Sequence, residues 1–152
     1  MPFASEKRNI ILLAACQALF QTGSVLIMTV GGLAGYLLAA DKSLATLPIA
    51  AMMTGTALAT IPASMFMGRF GRRAGFVIGT LLGVTGGALA LAGLIGNWFW
   101  VFCLGHVLVG AYQGFAQFYR FAAAEAASEA FRSRAISLVL AGGVVAAIAG
   151  PH

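Results

Sequence analysis

Acidic residues are nearly missing from this chain: there are four, Glu6, Asp41, Glu125 and Glu129, among 152 residues. Charged residues of both signs make up 9% of the sequence, against roughly 25% in a soluble globular domain. So little charge cannot cover a solvated surface. With 61% of the chain apolar, the solvent for most of it is expected to be lipid. No Asp or Glu falls inside a long apolar run, so a carboxylate-based proton or sodium site is missing from this stretch of chain.

Other absences narrow the function. There is no His-Glu-x-x-His, no Cys-x-x-Cys and no phosphate-cradling glycine loop ending in Lys-Ser or Lys-Thr. No serine stands in a Gly-x-Ser-x-Gly elbow. An enzyme is therefore not expected, and neither is a metal or a cofactor. Haem would want a second axial ligand beside His106, and the other histidine is the terminal His152. Cys16 and Cys103 fall in opposite halves of a bilayer in the topology below. A disulfide needs Cα atoms within about 7 Å, so both are read as unpaired small apolar residues. The net charge of +5 comes from short basic clusters rather than a continuous basic face, which excludes a nucleic-acid partner.

What is present is a series of uncharged runs, each to be compared with the ~20 residues that cross hydrocarbon. The runs predict membrane helices at about 10–36, 46–67, 74–95 and 99–121, with a fifth beginning at 135–152. Gly96-Asn97-Trp98 supplies the reversal between the third and fourth, and Trp98 and Trp100 suit the headgroup level. The runs show no period of two, which excludes a membrane barrel, and irregular backbone has no hydrogen-bond partners in lipid. The fold class is thus all-α polytopic membrane protein, with four complete transmembrane helices and the start of a fifth. Leu13-Ala14-Ala15-Cys16 has the look of a lipoprotein cleavage box, but the chain stays apolar through Ala40. The segment reads as a retained first span rather than a cleaved signal.

Basic residues set the orientation. With the N-terminus inside, Lys7, Arg8, Arg69, Arg72, Arg73, Arg120, Arg132 and Arg134 are cytoplasmic, and Lys42 alone is external. The expected placement is a multi-pass protein of the bacterial inner membrane, with the lipid bilayer as its first partner.

Glycine spacing predicts how the helices pack. Gly75, Gly79, Gly83 and Gly87 recur every four residues on the third span, a pattern that lets another backbone approach closely. Gly31 and Gly35 repeat it on the first span, Gly110 and Gly114 on the fourth, and Gly142, Ala146 and Gly150 on the fifth.

Two polar stripes stand out, because polar side chains are costly in hydrocarbon. Gln17 and Gln21 share one face of the first span with Ser24 and Met28, within an arc of roughly 60° at 3.6 residues per turn. His106, Gln113, Gln117 and Arg120 share a similar arc on the fourth. Two uses are open for both stripes: lining a water-filled path, or hydrogen-bonding a neighbouring helix. His106 is likewise open to two readings, a packing histidine or a proton relay.

The connection after the second span carries a resemblance. Ser64-Met65-Phe66-Met67-Gly68-Arg69-Phe70-Gly71-Arg72-Arg73 resembles the signature of the major facilitator superfamily, Gly-x-x-x-Asp-Arg-x-Gly-Arg-Arg/Lys. Arg69, Gly71, Arg72 and Arg73 match, while Ser64 replaces the leading glycine and Gly68 the aspartate. That aspartate helps latch the loop in the family, so a charged latch is not carried over here. Arg132 and Arg134 resemble the basic turn before the family's fifth helix. Ala146 to Pro151 is similar to part of its Gly-Pro motif associated with antiporters, and Gln113 to Ala122 resembles bacterial permeases.

The resemblance implies two six-helix halves, of which this chain would hold part of the N-terminal one. It implies a secondary transporter that moves a small solute by alternating access, together with a C-terminal half that this chain lacks, and mildly favours proton-coupled efflux. It also implies that helices one and four line the path, which would place Gln17, Gln21, His106, Gln113, Gln117 and Arg120 along the substrate cavity. Gly68, Arg69, Gly71, Arg72 and Arg73 would form a gating loop. The rival reading is a structural or assembly subunit of a membrane complex with no transport of its own.

Overall fold

Glycine, asparagine and a short polar segment interrupt the apolar runs, and the chain turns there. The computed structural model describes residues 2–119, 121, 122, 133, 137 and 141, with the backbone alone for 2–7. Four helices follow in order: α1 at Pro2–Leu38, α2 at Leu47–Phe70, α3 at Arg72–Ile95 and α4 at Phe99–Ala116. A single 3₁₀ turn, Lys42–Leu44, joins α1 to α2. No strand occurs among the described residues. Among the described residues four stretches are long and apolar enough to cross a membrane, Arg8–Leu38, Lys42–Phe70, Arg72–Ile95 and Phe99–Ala116. The protein is an all-α polytopic membrane protein. The fifth span expected at 135–152 lies outside the described residues, apart from isolated positions.

Exposed side chains agree with a lipid solvent. Leu58, Ile61 and Met65 on α2, and Val77, Leu81 and Val84 on α3, are all exposed. On a water-soluble monomer such contiguous apolar surface is rare. Hydroxyl groups in these helices bond back to the carbonyl one turn earlier, as Thr54 does to Ala50 O at 2.8 Å and Thr60 to Thr56 O at 2.7 Å. That bond satisfies a donor for which lipid offers no partner. Pro62 sits inside α2 without ending it, which membrane helices tolerate when neighbouring groups take up the freed carbonyl.

The chain divides into two compact units, Met1–Ile27 with Gln117–His152, and Met28–Ala116. In the first, Phe20 and Tyr119 are buried and meet edge to face with ring centroids 6.4 Å apart. Such aromatic pairs contribute about 0.5–1.5 kcal/mol beyond the area they bury.

In the second unit α4 packs along both α2 and α3, which touch each other far less. Small residues make this possible. A Cβ built on Gly55 would strike Val107 O, and one on Gly110 would strike Met52 O, so α2 and α4 meet backbone to backbone. Across the other contact, Gly86 faces Val109 N and Gly105 O, and Gly93 faces the backbone of Phe102. Gly114 packs on Ala59 and Thr56, as its pairing with Gly110 leads one to expect.

The α3 ladder holds in part. Gly75 faces Met67, Gly79 faces Phe115 and Gly83 faces Tyr112, but nothing lies within 4 Å of a Cβ on Gly87. The contact passes to Gly86 instead. A helix turns 3.6 residues at a time, so strict steps of four drift about 40° each around the axis. Steps alternating between three and four stay on one seam.

The turns follow from their residues. Gly71 alone separates α2 from α3, with φ 88 and ψ 157, a conformation that glycine reaches without steric cost. At the end of α3 the N–H of Trp98 bonds Gly93 O at 2.8 Å and that of Asn97 bonds Leu94 O at 3.4 Å. Asn97 has φ 53, so the expected reversal is a Schellman cap with asparagine in the left-handed position. After α1, Lys42 Nζ donates to Tyr36 O at 2.6 Å and Ala39 O at 3.1 Å, and lies 4.7 Å from the Tyr36 ring centre. The lysine thereby caps the negative end of α1.

Candidate functional site

The stripe on α4 begins with His106, which is 3% exposed. It is held by its own helix: Nδ1 lies 2.9 Å from Phe102 O, and the ring stands 4.4 Å from that of Phe102. A carbonyl only accepts, so Nδ1 carries the hydrogen and Nε2 presents a lone pair. That lone pair is buried and meets no hydrogen-bond partner among the described residues. Gly31 of α1 covers it; a Cβ built there would stand 2.7 Å from Nε2. The expected small residue on the first span is thus needed at this spot, because α1 passes directly over an imidazole nitrogen. Gly35, one turn on, clears Ala45 O and Pro48 in the same way.

Gln113, two turns further along α4, reaches α2. Its Oε1 accepts from the Thr56 hydroxyl at 3.3 Å, and its Nε2 lies 3.6 Å from Met52 Sδ. His106 and Gln113 therefore share a helix but engage different neighbours, α1 for the first and α2 for the second. The signal for Gln113's partner is weak in sequence, since Thr56 stands 57 residues away. Gln17 and Gln21 are half-buried on α1 and Gln117 is exposed just past α4. These three belong to the first compact unit. Arg120 lies outside the described residues.

Gly68, Arg69, Gly71, Arg72 and Arg73, expected from the resemblance to form a gating loop, lie at the α2–α3 connection. Gly68 is exposed in the last turn of α2, with nothing within 4 Å of a built Cβ. Arg69 follows with its guanidinium 5.7 Å from the Phe70 ring centre, and a cation there suits the negative end of α2. Arg72 and Arg73 open α3, where the helix dipole disfavours cations. Local stability does not explain two arginines at that point. Orientation in the bilayer and contact with phosphate headgroups are two demands that arginines at this point would meet.

Near the other end of α2, α3 and α4, the α1–α2 connection and the α3–α4 turn border a recess of about 490 Å³. Leu38, Asp41 and Leu44 line one side; Asn97, Trp98 and Trp100 line the other. Asp41 Oδ1 accepts from Ser43 N–H at 2.9 Å, which holds its carboxyl below the usual carboxylate range. The sequence reading assigned the tryptophans to the headgroup level and missed the recess, because its two sides are far apart in the chain.

Comparison with known proteins adds an independent line. No family model and no solved structure matches the chain. A riboflavin transporter of Brucella anthropi is 44% identical over 148 residues, covering 97% of this chain and 37% of that protein. A glucose transporter of Trypanosoma vivax is 33% identical over 63 residues, covering 41% of this chain and 12% of that protein. The chain spans little more than a third of the first relative's length. Both relatives are transporters by name, and the chain is similar to the first along nearly its whole length, in line with the resemblance of its Arg69 to Arg73 loop to the major facilitator signature.

Proposed function

We propose that the protein of which this chain forms part carries riboflavin, or a closely related flavin, across the bacterial inner membrane by alternating access. The observation that carries the reading is the 44% identity to a riboflavin transporter along 97% of the chain. In this reading the present helices rock against a C-terminal half, and Gln17, Gln21, His106, Gln113 and Gln117 border the path with Arg120 at its cytoplasmic mouth. Polar groups at membrane depth support that assignment. For Gln113 one observation favours a second use, since its bonds to Thr56 and Met52 tie α4 to α2. The finer form, proton-coupled efflux, rests on Ala146 to Pro151, which lie outside the described residues.

Two measurements test this. A riboflavin-auxotrophic bacterium without its own flavin transporter should grow on low external riboflavin when it expresses the complete protein as an importer. An exporter should instead deplete a riboflavin producer's cytoplasm into the medium. Neither effect with a correctly inserted protein would end the flavin reading.

The orientation is tested separately. With the N-terminus cytoplasmic, a single cysteine at position 71 should react with a membrane-impermeant maleimide only after the cells are opened, and one at position 97 should react in intact cells. The motive is the split of eight basic residues against one. Strong labelling of position 71 from outside would reverse the topology.

A further inference from the structure

We propose that the recess between the α1–α2 connection and the α3–α4 turn is a binding site for the tricyclic ring of an unphosphorylated flavin, apart from the two polar stripes. The proposal rests on the flavin reading above. Its walls are aromatic: Trp98 and Trp100 are 61% and 69% exposed, and both line the recess. A headgroup-level tryptophan belt accounts for exposed tryptophans. Two polar residues, Asp41 and Asn97, border the same recess. The volume of about 490 Å³ lies within the range of small-molecule sites, and apolar walls with a few fixed polar groups are their usual make-up.

The polar groups select the ligand. A flavin ring carries an edge of carbonyl, N–H and carbonyl. An asparagine amide donates to one such carbonyl and accepts from the N–H. Ser43 engages the Asp41 carboxylate through both its N–H and its side chain, and the remaining lone pairs accept from a ring N–H or a ribityl hydroxyl. The nearest cation does not serve a phosphate here: Lys42 Nζ is bound to Tyr36 O and Ala39 O and is not part of the lining. The charge that does line the recess is Asp41's, and it disfavours a phosphate ester or an anionic lipid headgroup. A flat neutral heterocycle with imide-type edges fits what remains.

The chain reports on this site directly. It contains two tryptophans, and both are in the lining, so their fluorescence reads the recess alone. The experiment uses the 152-residue chain in nanodiscs of zwitterionic lipid, titrated with riboflavin, lumichrome, ribitol and riboflavin 5′-phosphate. Saturable quenching by riboflavin and by lumichrome is expected, with none by ribitol and weaker binding of the phosphate. Asn97→Gly keeps the positive φ of the turn and removes the amide with both of its hydrogen bonds; it should weaken riboflavin at least roughly tenfold. Asp41→Asn should narrow the gap between riboflavin and its phosphate. Circular dichroism of each variant confirms that the helices are intact.

Quenching that rises linearly without saturation would mean partition into lipid and would overturn the proposal. So would saturable quenching that both substitutions leave unchanged. Absence of binding here alongside riboflavin flux through the complete protein removes the recess and leaves the carrier. Binding here without flux removes the carrier and leaves a flavin site.

Discussion

Gly110→Leu is expected to prevent α2 and α4 from packing and to leave little monodisperse protein after extraction into detergent. A Cβ at this position already strikes Met52 O and comes within 3.0 Å of Thr56 N. The obstacle is backbone on a neighbouring helix, which cannot rotate aside as a side chain can. The cost should therefore exceed the roughly 1–3 kcal/mol of ordinary core overpacking. Gly87→Leu serves as the contrast, because nothing lies within 4 Å of its built Cβ. It should change stability by no more than about 0.5 kcal/mol, as lipid-facing and surface substitutions do. Size-exclusion profiles and thermal midpoints of the two variants decide the matter. Equal behaviour of both would mean that the α2–α4 contact described here is not the one that holds the protein together.

His106→Leu is expected to raise thermal stability and to abolish transport by the complete protein. The imidazole satisfies Nδ1 through Phe102 O but leaves Nε2 buried without a partner among the described residues. An unsatisfied buried polar atom costs about 1–3 kcal/mol. Leucine removes that atom at similar volume, and Phe102 O keeps the helical N–H of residue 106 as its donor. A group retained against its local cost points to function. In this protein Gly31 covers the lone pair, and a shift of α1 away from α4 during the transport cycle would uncover it to a donor on water or substrate. A more stable variant with at least tenfold lower flux is the expected pair of results. A less stable variant with normal flux would make His106 a packing residue.

Much of the fold was legible because charges mark the ends of membrane helices and the runs between them have few other uses. The turn at Gly96-Asn97-Trp98 was readable for the same reason that it forms: asparagine tolerates the left-handed conformation that a helix stop requires. The first helix was less well bounded. It begins at Pro2 rather than near residue 10, and its 37 residues reach roughly 55 Å at 1.5 Å each, well beyond a ~30 Å hydrocarbon core. The stretch apolar enough to cross a membrane begins at Arg8, inside a helix that begins at Pro2. Sequence spacing also misplaced the last member of the α3 seam, because Gly87 fits a period of four while the packed helices follow the shorter period through Gly86 and Gly93. The stripes showed which residues are polar at depth. They did not show that Gln113 would meet Thr56, since a partner on another helix is fixed by packing and not by local pattern.

The local rules that fail are informative as well. Arg72 and Arg73 stand at the positive end of α3, and Asp41 is kept ionised beside two tryptophans. The arginines are not where helix stability alone would put them, whereas Asp41 caps the 3₁₀ turn, a position that favours a carboxylate. Both lie at turns, Arg72 and Arg73 at the start of α3 and Asp41 across the recess from the turn that ends it.

The most direct test of the central claim is riboflavin flux across proteoliposomes. The complete protein containing this chain, purified and reconstituted, should carry radiolabelled riboflavin with saturation and should exchange it against unlabelled riboflavin on the other side. Glucose should not compete, in keeping with the stronger similarity to the riboflavin transporter than to the glucose transporter. Saturable counterflow of riboflavin is the result this account predicts; no flux above empty liposomes from protein that is folded and correctly inserted would contradict it.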